Sequence, residues 1–333
     1  MSNAAMRRHV GDALRARAEA DGWAALRAVA SFADRLGEHG PSELAVRACR
    51  AAGGADEDAF PAAASLHSLH VAIHLVDDII DGEERPSVAL PAGLRANLAL
   101  ALQSIAIEVL DDAPPELRGP LMRAAAVAGR ETARGQELDA AGAADEAGYW
   151  RIVEAKTPPL FTAALRMGAL LGGASPEAAE ALAAAGAPIG VLIQLGDDLG
   201  DVMGDELHPD WRRPGDNLAL RFAMEADHPA RDRFRALVPR VADPAAYAEA
   251  KEIMVRSGAF SFCVHHMRVA AAEARRAVLA APLADPAPAG AGRRPRRARR
   301  RPPRARRLRG ARAGAGAGVV HGRVFSRRDG NTG

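Results

Sequence analysis

The chain has 333 residues, of which 48% are hydrophobic, and its formal net charge at pH 7 is +2. This composition allows a sizeable core and excludes an intrinsically disordered protein. The two cysteines, Cys49 and Cys263, lie far apart in the sequence, which argues against a disulfide-stabilised secreted protein.

Taken from the N-terminus, residues 1–284 are predicted to be almost wholly helical. The first residues lack the long apolar core of a signal peptide, and no uninterrupted apolar run reaches the roughly 18 residues of a membrane span. We therefore expect a cytoplasmic protein with no transmembrane segment. Apolar residues recur at three- and four-residue spacing, with breaks where Gly, Pro and Asp cluster: GEHGPSE, AAGGADEDAFP, DGEERPSVALPAG, DDAPPELRGP, GGASPEA and GDELHPDWRRPGDN. Several of the intervening segments are 15 to 30 residues long, which predicts an all-α fold, a single large helical bundle.

An acidic motif ends the first long apolar helix that these breaks define, LHSLHVAIHLVDDIID at residues 66–81. On a helix, positions i and i+4, or i+1 and i+4, face the same side, so Asp77, Asp78 and Asp81 are predicted to project into one region. The same face runs back through His74, His70 and His67. This predicted helix therefore carries one polar stripe on an otherwise apolar surface.

A second copy of the motif ends PIGVLIQLGDDLGD at residues 188–201, where Gln194 precedes Asp197, Asp198 and Asp201. One such motif could be no more than a solvated helix end, but two copies on apolar helices favour a shared site. Burying these like charges unpaired would cost several kcal/mol, roughly, so a cation is expected there. Oxygen ligands without cysteine favour a hard cation, and Mg²⁺ suits a site completed by water and a substrate phosphate. All six aspartates are thus candidate metal ligands.

The C-terminal segment, residues 285–333, is rich in Arg, Pro, Gly and Ala and shows no helical or strand period. From Arg293 onward it carries a charge of +14, which leaves −12 on the preceding 292 residues. We predict a disordered tail attached to a helical domain at residues 1–284. Two explanations stay open: an anchor for an anionic surface, or an unselected tail from a GC-rich gene read in a shifted frame. We expect no specific nucleic-acid partner.

Four landmarks in this order resemble the trans-isoprenyl diphosphate synthases, also called the polyprenyl synthetase family, and more distantly the class I terpene synthases. They are DDIID at 77–81, GQELD at 135–139, YWRIVEAKTPPLF at 149–161 and QLGDDLGDVMGD at 194–205. His70, seven residues before the first motif, falls where the family usually has His. The resemblance covers residues 20 to 280, approximately.

The resemblance implies an apolar cavity in the bundle, with the two aspartate motifs facing each other across its mouth. There, three magnesium ions bridged by the substrate would hold an allylic diphosphate. Its ionisation gives an allylic cation, which isopentenyl diphosphate attacks to form a longer trans-prenyl diphosphate. We also expect a homodimer. The residues predicted for catalysis are Lys156, Asp77, Asp81 and Asp197. Those predicted to bind the substrate diphosphate are Arg85, Lys156, Thr157, Gln194, Arg212 and Arg213.

Three segments depart from the family pattern. The family's Gly-Gly-Lys-Arg-x-x-Arg-Pro segment, which helps to bind isopentenyl diphosphate, corresponds here to LGEHGPSELAVRAC, which lacks the Lys-Arg pair. The Arg-Arg-Gly that often follows the first motif is replaced by GEERPS, which keeps Arg85 alone. The usual lysine after the second motif is replaced by DWRRPGDN, where Arg212 or Arg213 could bind phosphate bidentately.

Because the determinants for isopentenyl diphosphate are weak, two alternatives to elongation remain open. A terpene cyclase would ionise a preformed prenyl diphosphate and needs only the metal site, although few aromatic residues lie near the motifs. A non-catalytic subunit of the same fold is the other alternative, and the intact aspartates argue against it.

Product length is predicted to depend on the residues just before the first motif. In the family, a large aromatic residue near these positions closes the cavity early. Here the corresponding residues are Ala72 and Ile73, which implies room for a chain of C15 to C20 or longer. His74 could line the same cavity or be a hydrogen-bonded structural residue.

Overall fold

The computed structural model describes residues 40–82, 90–204 and 206–283, together with positions 11, 12, 22–24 and 26. All of these belong to one compact unit, Met1–Gly290. Arg85 and the tail from residue 285 lie outside the described residues, so their predicted roles and the domain boundary at 284 stay predictions.

The predicted all-α fold is confirmed, since the described residues form α-helices and short 3-10 turns and contain no strand. The twelve α-helices of the described part are α1 (Pro41–Ala51), α2 (Phe60–Ile80), α3 (Ala92–Glu108), α4 (Pro115–Ala141), α5 (Glu146–Lys156), α6 (Pro158–Gly172), α7 (Pro176–Ala183), α8 (Gly186–Met203), α9 (Leu218–Glu225), α10 (Arg231–Leu237), α11 (Pro244–Arg256) and α12 (Ala259–Ala280).

Local sequence explains where several helices begin and end. The side chain of Asp145 accepts a hydrogen bond from the Gly148 N–H at 2.7 Å and caps α5, at a helix boundary that is not among the predicted breaks. Asn217 caps α9 in the same way, and α6 ends at Gly173 with φ of 95°, a left-handed conformation that favours glycine. Helix α4 starts at Pro115, inside the predicted break DDAPPELRGP, and runs through Pro120.

The helices pack around two groups of buried apolar residues. The first joins α1, α2, α3, α4, α6 and α7 and includes Leu66, Leu98 and Met167. The second joins α5 and α8 to the helices that follow and is built on large side chains such as Trp211 and Phe234. Helices α2, α4, α5, α6 and α8 carry the four landmarks, and they form one connected set of packed helices.

Two close helix contacts require glycine and position the landmarks. A Cβ atom on Gly135 would lie 2.5 Å from the carbonyl of Ala155, so α4 approaches α5 closely just before Gln136. A Cβ atom on Gly190 would lie 2.5 Å from Cα of Pro158, which holds α8 against the start of α6. Larger side chains at either position would separate the helices.

Three segments are long and apolar enough to cross a membrane by length and composition: 56–80, 92–112 and 176–203. The sequence predicted no such segment, because it was judged by uninterrupted apolar runs. A mean hydropathy over 18 residues also accepts segments in which a few polar residues interrupt the apolar run. Within the bundle, 67%, 44% and 44% of the respective windows are buried against other helices.

Candidate active site

The landmark helices surround one cavity of about 830 Å³. Its acidic mouth is lined by Asp77, Asp81, Asp139, Asp197, Asp198, Asp201, Asp210 and Asp216, with Lys156, His208, Arg212 and Arg213 among them. We use the name inner chamber for the lining residues that lie further in, namely His70, Ile73, His74, Thr132, Leu160, Phe161 and Ile193. On α2, α4 and α8 these residues precede the acidic groups by about one helical turn or more. The structure thus combines a charged mouth with a mainly apolar interior.

The first aspartate motif divides between the cavity and the core. Asp77 and Asp81 line the cavity, whereas Asp78 is 2% exposed and buried on another side of α2. At 3.6 residues per turn, Asp77 and Asp81 differ in direction by about 40° and Asp78 points about 100° away from Asp77. The expectation that all three carboxylates share one region therefore does not match the structure at Asp78.

The second motif is divided less sharply, because all three of its aspartates line the cavity. Asp197 is exposed to the cavity and Asp201 lines it, but Asp198 is 3% exposed. The Asp198 carboxylate accepts hydrogen bonds from the Tyr149 hydroxyl at 2.5 Å, the Leu218 N–H at 3.1 Å and the Gln194 amide at 3.1 Å. With both oxygens engaged by protein donors, Asp198 is placed to hold α8 in position.

Buried negative charge raises two pKa values in this motif. Burial raises the pKa of Asp198 to about 6, although the hydrogen bonds from Tyr149, Gln194 and Leu218 oppose the rise. Burial, followed by the charge of Asp201, raises the pKa of Asp197 to about 6, and Lys156 opposes this. A carboxylate whose charged form is disfavoured in this way is stabilised by a cation.

Lys156 lies between the two motifs. Its Nζ atom is 2.6 Å from Asp139 and 3.3 Å from Asp77. Burial alone would lower the pKa of Lys156, but Asp139 and Asp77 outweigh it and raise the pKa above its usual value, so the ammonium group is charged at pH 7. The side chain of Gln136 also donates to Asp77, so the GQELD landmark orients both the aspartate and the lysine.

The other predicted diphosphate ligands fall into two groups. Thr157 donates to the Gln194 carbonyl oxygen at 2.8 Å, and Gln194 in turn donates to Asp198, so these side chains support the anchor of α8 as well as lining the cavity. Arg213 is engaged by Asp216 at 2.8 Å and by the Asp139 carbonyl at 2.9 Å. Arg212 lines the same mouth and is exposed.

Several site residues were not predicted from the sequence. His208 lies with Nε2 3.5 Å from Asp201 and Nδ1 3.1 Å from Asp210, whose other oxygen accepts a 2.9 Å hydrogen bond from Asn217. Ligand atoms of Asp201, His208 and Asp210 all lie within 4.8 Å of one another, close enough to hold a metal ion. His208 and Asp210 both lie in GDELHPDWRRPGDN, which the sequence indicated only as a break between helices, and the part that departs from the family pattern, DWRRPGDN, contains Asp210 but not His208.

The two residues predicted to control product length occupy different environments. Ile73 lines the inner chamber, as predicted, while Ala72 is 2% exposed and packed in the first core. His74 also lines the chamber, and its Nε2 is 3.0 Å from Nε2 of His70, so it combines the two roles left open for it.

Comparison with known proteins agrees with this geometry. The polyprenyl synthetase family model matches residues 41–212. The (2E,6E)-farnesyl diphosphate synthase of Mycobacterium tuberculosis is 33% identical over 249 residues, which span 69% of this chain and 68% of the relative. The chain belongs to the polyprenyl synthetase family.

Solved structures share the fold. The polyprenyl synthase from Caulobacter crescentus CB15, complexed with calcium and isoprenyl diphosphate, is 25% identical with a TM-score of 0.63 and covers 81% of this chain and 91% of its own. The geranylgeranyl pyrophosphate synthase from Corynebacterium glutamicum, complexed with isoprenyl diphosphate and magnesium, has a TM-score of 0.71 at 20% identity over 86% of this chain and 95% of its own. The predicted family is confirmed, and so is the prenyltransferase class.

Proposed function

We propose that the protein condenses an allylic diphosphate with isopentenyl diphosphate to give a longer trans-prenyl diphosphate, in a magnesium-dependent reaction. The observation that carries this proposal is the pair of aspartates from each motif, Asp77 with Asp81 and Asp197 with Asp201, on one cavity with an apolar interior. Relatives named as farnesyl and geranylgeranyl diphosphate synthases favour elongation over cyclisation or a non-catalytic role.

The carboxylates at the mouth fit a hard cation. Asp77, Asp81, Asp197 and Asp201 all line the cavity, and burial, followed by the charge of Asp201, disfavours the charged form of Asp197 and raises its pKa. We assign metal binding to Asp77, Asp81, Asp197 and Asp201, and an anchoring role to Asp78 and Asp198 because both are buried. When bound, magnesium ions neutralise the diphosphate as it leaves. The number of ions, predicted as three, stays part of this proposal.

The protein's own residues then bind and orient the substrate. Lys156 and Arg212 supply positive charge to the diphosphate oxygens, and this stabilisation grows as the C–O bond breaks. Leu160 and Phe161 line the inner chamber, where they are placed to contact the hydrocarbon chain. The allylic cation is attacked by the double bond of isopentenyl diphosphate, and loss of a proton completes the elongation.

The proposal also includes a cytoplasmic homodimer and a product of C15 to C20 or longer. The chain-length part is supported by the inner chamber, which lies beyond the diphosphate-binding mouth and is lined by residues such as Ile73. The assembly and the compartment stay predictions.

The test is product formation from magnesium, radiolabelled isopentenyl diphosphate and dimethylallyl, geranyl or farnesyl diphosphate. We expect a longer prenyl diphosphate, loss of turnover in chelator, and recovery with added magnesium. Asp81→Asn should lower turnover by orders of magnitude, whereas the matched control Asp112→Asn, at an exposed acid on another part of the surface, should not. Full activity in excess chelator, or equal activity of the two variants, would contradict the proposed function.

A further inference from the structure

A buried arginine that does not line the cavity joins two segments beside its mouth. Arg221, on α9, is 4% exposed. Its Nη2 atom donates to the Ala143 carbonyl at 2.7 Å and to the Gly215 carbonyl at 2.6 Å, and Nε donates to the Gly215 carbonyl at 2.9 Å. Nη1 pairs with Glu225 at 2.8 Å. Arg221 therefore ties the residue that follows the end of α4 by two positions to the loop that follows the second aspartate motif.

The turn at Gly215 fits this guanidinium closely. A Cβ atom on Gly215 would lie 3.0 Å from Nη2 of Arg221 and 3.4 Å from the Ala143 carbonyl oxygen, which is tighter than most contacts of real side chains. Arginine presents its N–H donors in a rigid planar fork, so it can bridge two carbonyl groups whose positions are fixed. The missing side chain at Gly215 and the fork of Arg221 are thus two parts of one junction.

A second set of contacts closes the same junction on the side of the mouth. Arg213 donates to the Asp139 carbonyl at 2.9 Å and pairs with Asp216 at 2.8 Å, and Asp216 accepts a hydrogen bond from the Ala143 N–H at 2.8 Å. Water screens the contacts of Arg213, which is half exposed, more than those of the buried Arg221. We call these contacts and those of Arg221 the clamp, and Arg221 is its stronger part.

Backbone hydrogen bonds connect the clamp to Arg212. Gly215 lies in one 3-10 turn, and Arg212 ends the preceding one. The Asp216 N–H donates to the Arg213 carbonyl and the Arg213 N–H donates to the Asp210 carbonyl, each at 2.9 Å. The two turns therefore form one short continuous structure. A restraint on Gly215 consequently also restrains the backbone of Arg212.

Arg212 depends on this restraint because its own side chain is not held. It lines the mouth and is exposed, and its guanidinium makes no hydrogen bond or ion pair with the residues that the structure describes. A loop that must become ordered when a ligand binds loses part of the binding free energy as conformational entropy. A loop that is already ordered avoids this loss.

We propose that Arg221 is a positioning residue, which holds the Gly215 turn against the end of α4 and thereby fixes the backbone that presents Arg212 to the substrate diphosphate. This inference rests on the proposed function, in which Arg212 contacts the diphosphate. Arg221 does not line the cavity, so it acts through Arg212 and does not touch the substrate.

The experiment is a double-mutant cycle on KM for the allylic diphosphate, measured in steady state with magnesium for Arg221→Lys, Arg212→Gln and the double variant. Arg221→Lys keeps the charge and loses the planar fork, so we expect KM to rise by about threefold to tenfold, the effect of one hydrogen bond. The double variant should raise KM no further than Arg212→Gln does, because both changes remove the same contact with the substrate.

The measured KM separates this role from a structural one. Lower stability alone reduces the amount of active protein, which lowers the apparent kcat and leaves KM unchanged. Glu225→Gln removes the ion-pair partner of Arg221 and keeps both carbonyl contacts, so KM should stay the same. Arg166→Gln breaks an ion pair with Glu180 on helices away from the mouth, and it should change only the melting temperature.

Gly215→Ala loosens the clamp without changing any charge, and it serves if Arg221→Lys does not fold. Its new methyl group must displace Nη2 of Arg221, so KM should rise in the same direction, and again no further in the Arg212→Gln background. Unchanged KM in folded clamp variants would refute the positioning role. Increases in KM that multiply with that of Arg212→Gln would also refute it, since Arg221 would then act independently. Absence of elongation by the unaltered protein supplied with magnesium would instead overturn the proposed function.

Discussion

The hydrogen bond from Tyr149 to Asp198 gives the sharpest test of the anchoring role assigned to the second motif. Tyr149 is 1% exposed, and its hydroxyl oxygen is 2.5 Å from the Asp198 carboxylate. Tyr149→Phe removes this donor and leaves the ring in place. A hydrogen bond to a charged group contributes about 1.5–3 kcal/mol, so we expect a loss of about 2 kcal/mol in the free energy of unfolding.

For a folded body of this size, 1 kcal/mol changes the melting temperature by about 2–4 °C, which predicts a decrease of about 4–8 °C for Tyr149→Phe. The matched control is Tyr247→Phe, whose hydroxyl donates to the neutral carbonyl oxygen of Gly204 at 2.9 Å. A neutral hydrogen bond contributes about 1 kcal/mol, so the control should lose about half as much stability.

The effect should also depend on pH. The Tyr149 hydroxyl stabilises the charged form of Asp198, whose pKa burial raises to about 6. Loss of this hydrogen bond raises the pKa of Asp198 further, so the stabilisation is present at high pH, where the carboxyl is charged in both proteins, and is lost as the pH falls to about 6 and below. Tyr149→Phe should be more destabilising at pH 8 than at pH 5, whereas Tyr247→Phe should show no such difference. Melting curves followed by circular dichroism in chelator measure both variants, and equal losses at both pH values would refute the anchoring role.

Three further predictions follow from the site. Asp197→Asn should raise the free energy of unfolding of the metal-free protein at pH 8 by about 1–2 kcal/mol, after allowance for solvent screening, because a pKa of about 6 means that the charge of Asp197 is destabilising above that pH. The same variant should lose turnover. A lower melting temperature of the variant in chelator would contradict the predicted gain in stability. Arg212→Gln should raise KM for the allylic diphosphate in steady-state assays. Arg213→Gln loses the contacts with Asp216 and with the Asp139 carbonyl, so it should mainly lower the melting temperature. The reverse pattern would show that Arg213 binds the diphosphate. Ile73→Phe should shorten the prenyl products, as measured by chromatography. Ala72→Phe should lower the free energy of unfolding by about 1–3 kcal/mol, because it overpacks the core. If a well-folded Ala72→Phe variant gave shorter products and Ile73→Phe did not, the floor of the chamber would lie at Ala72.

The sequence predicted the helices and the two motifs because both depend on local periodicity. The spacing of Asp77 and Asp81 placed them on one face, and the same helical geometry could have excluded Asp78 from it. The sequence could not predict the hydrogen bond from Tyr149 to Asp198, because these residues are 49 positions apart and the contact depends on how α5 packs against α8. The sequence also could not predict that the Thr132 hydroxyl has no hydrogen-bond partner among the described residues, because only the packed structure shows this.

The charge balance of the cavity explains why a metal ion and a diphosphate are expected to bind together. Lys156 is already paired with Asp139 and Asp77, so in the metal-free protein its positive charge is used to offset carboxylates. Burial, followed by the charge of Asp201, keeps the pKa of Asp197 raised in spite of this lysine, and the eight aspartates that line the cavity outnumber Lys156, Arg212 and Arg213. A diphosphate entering alone would meet this excess and be repelled. Divalent cations held by the aspartates would offset these carboxylates and would leave Lys156 free to contact the diphosphate, so metal and substrate should each increase the affinity for the other.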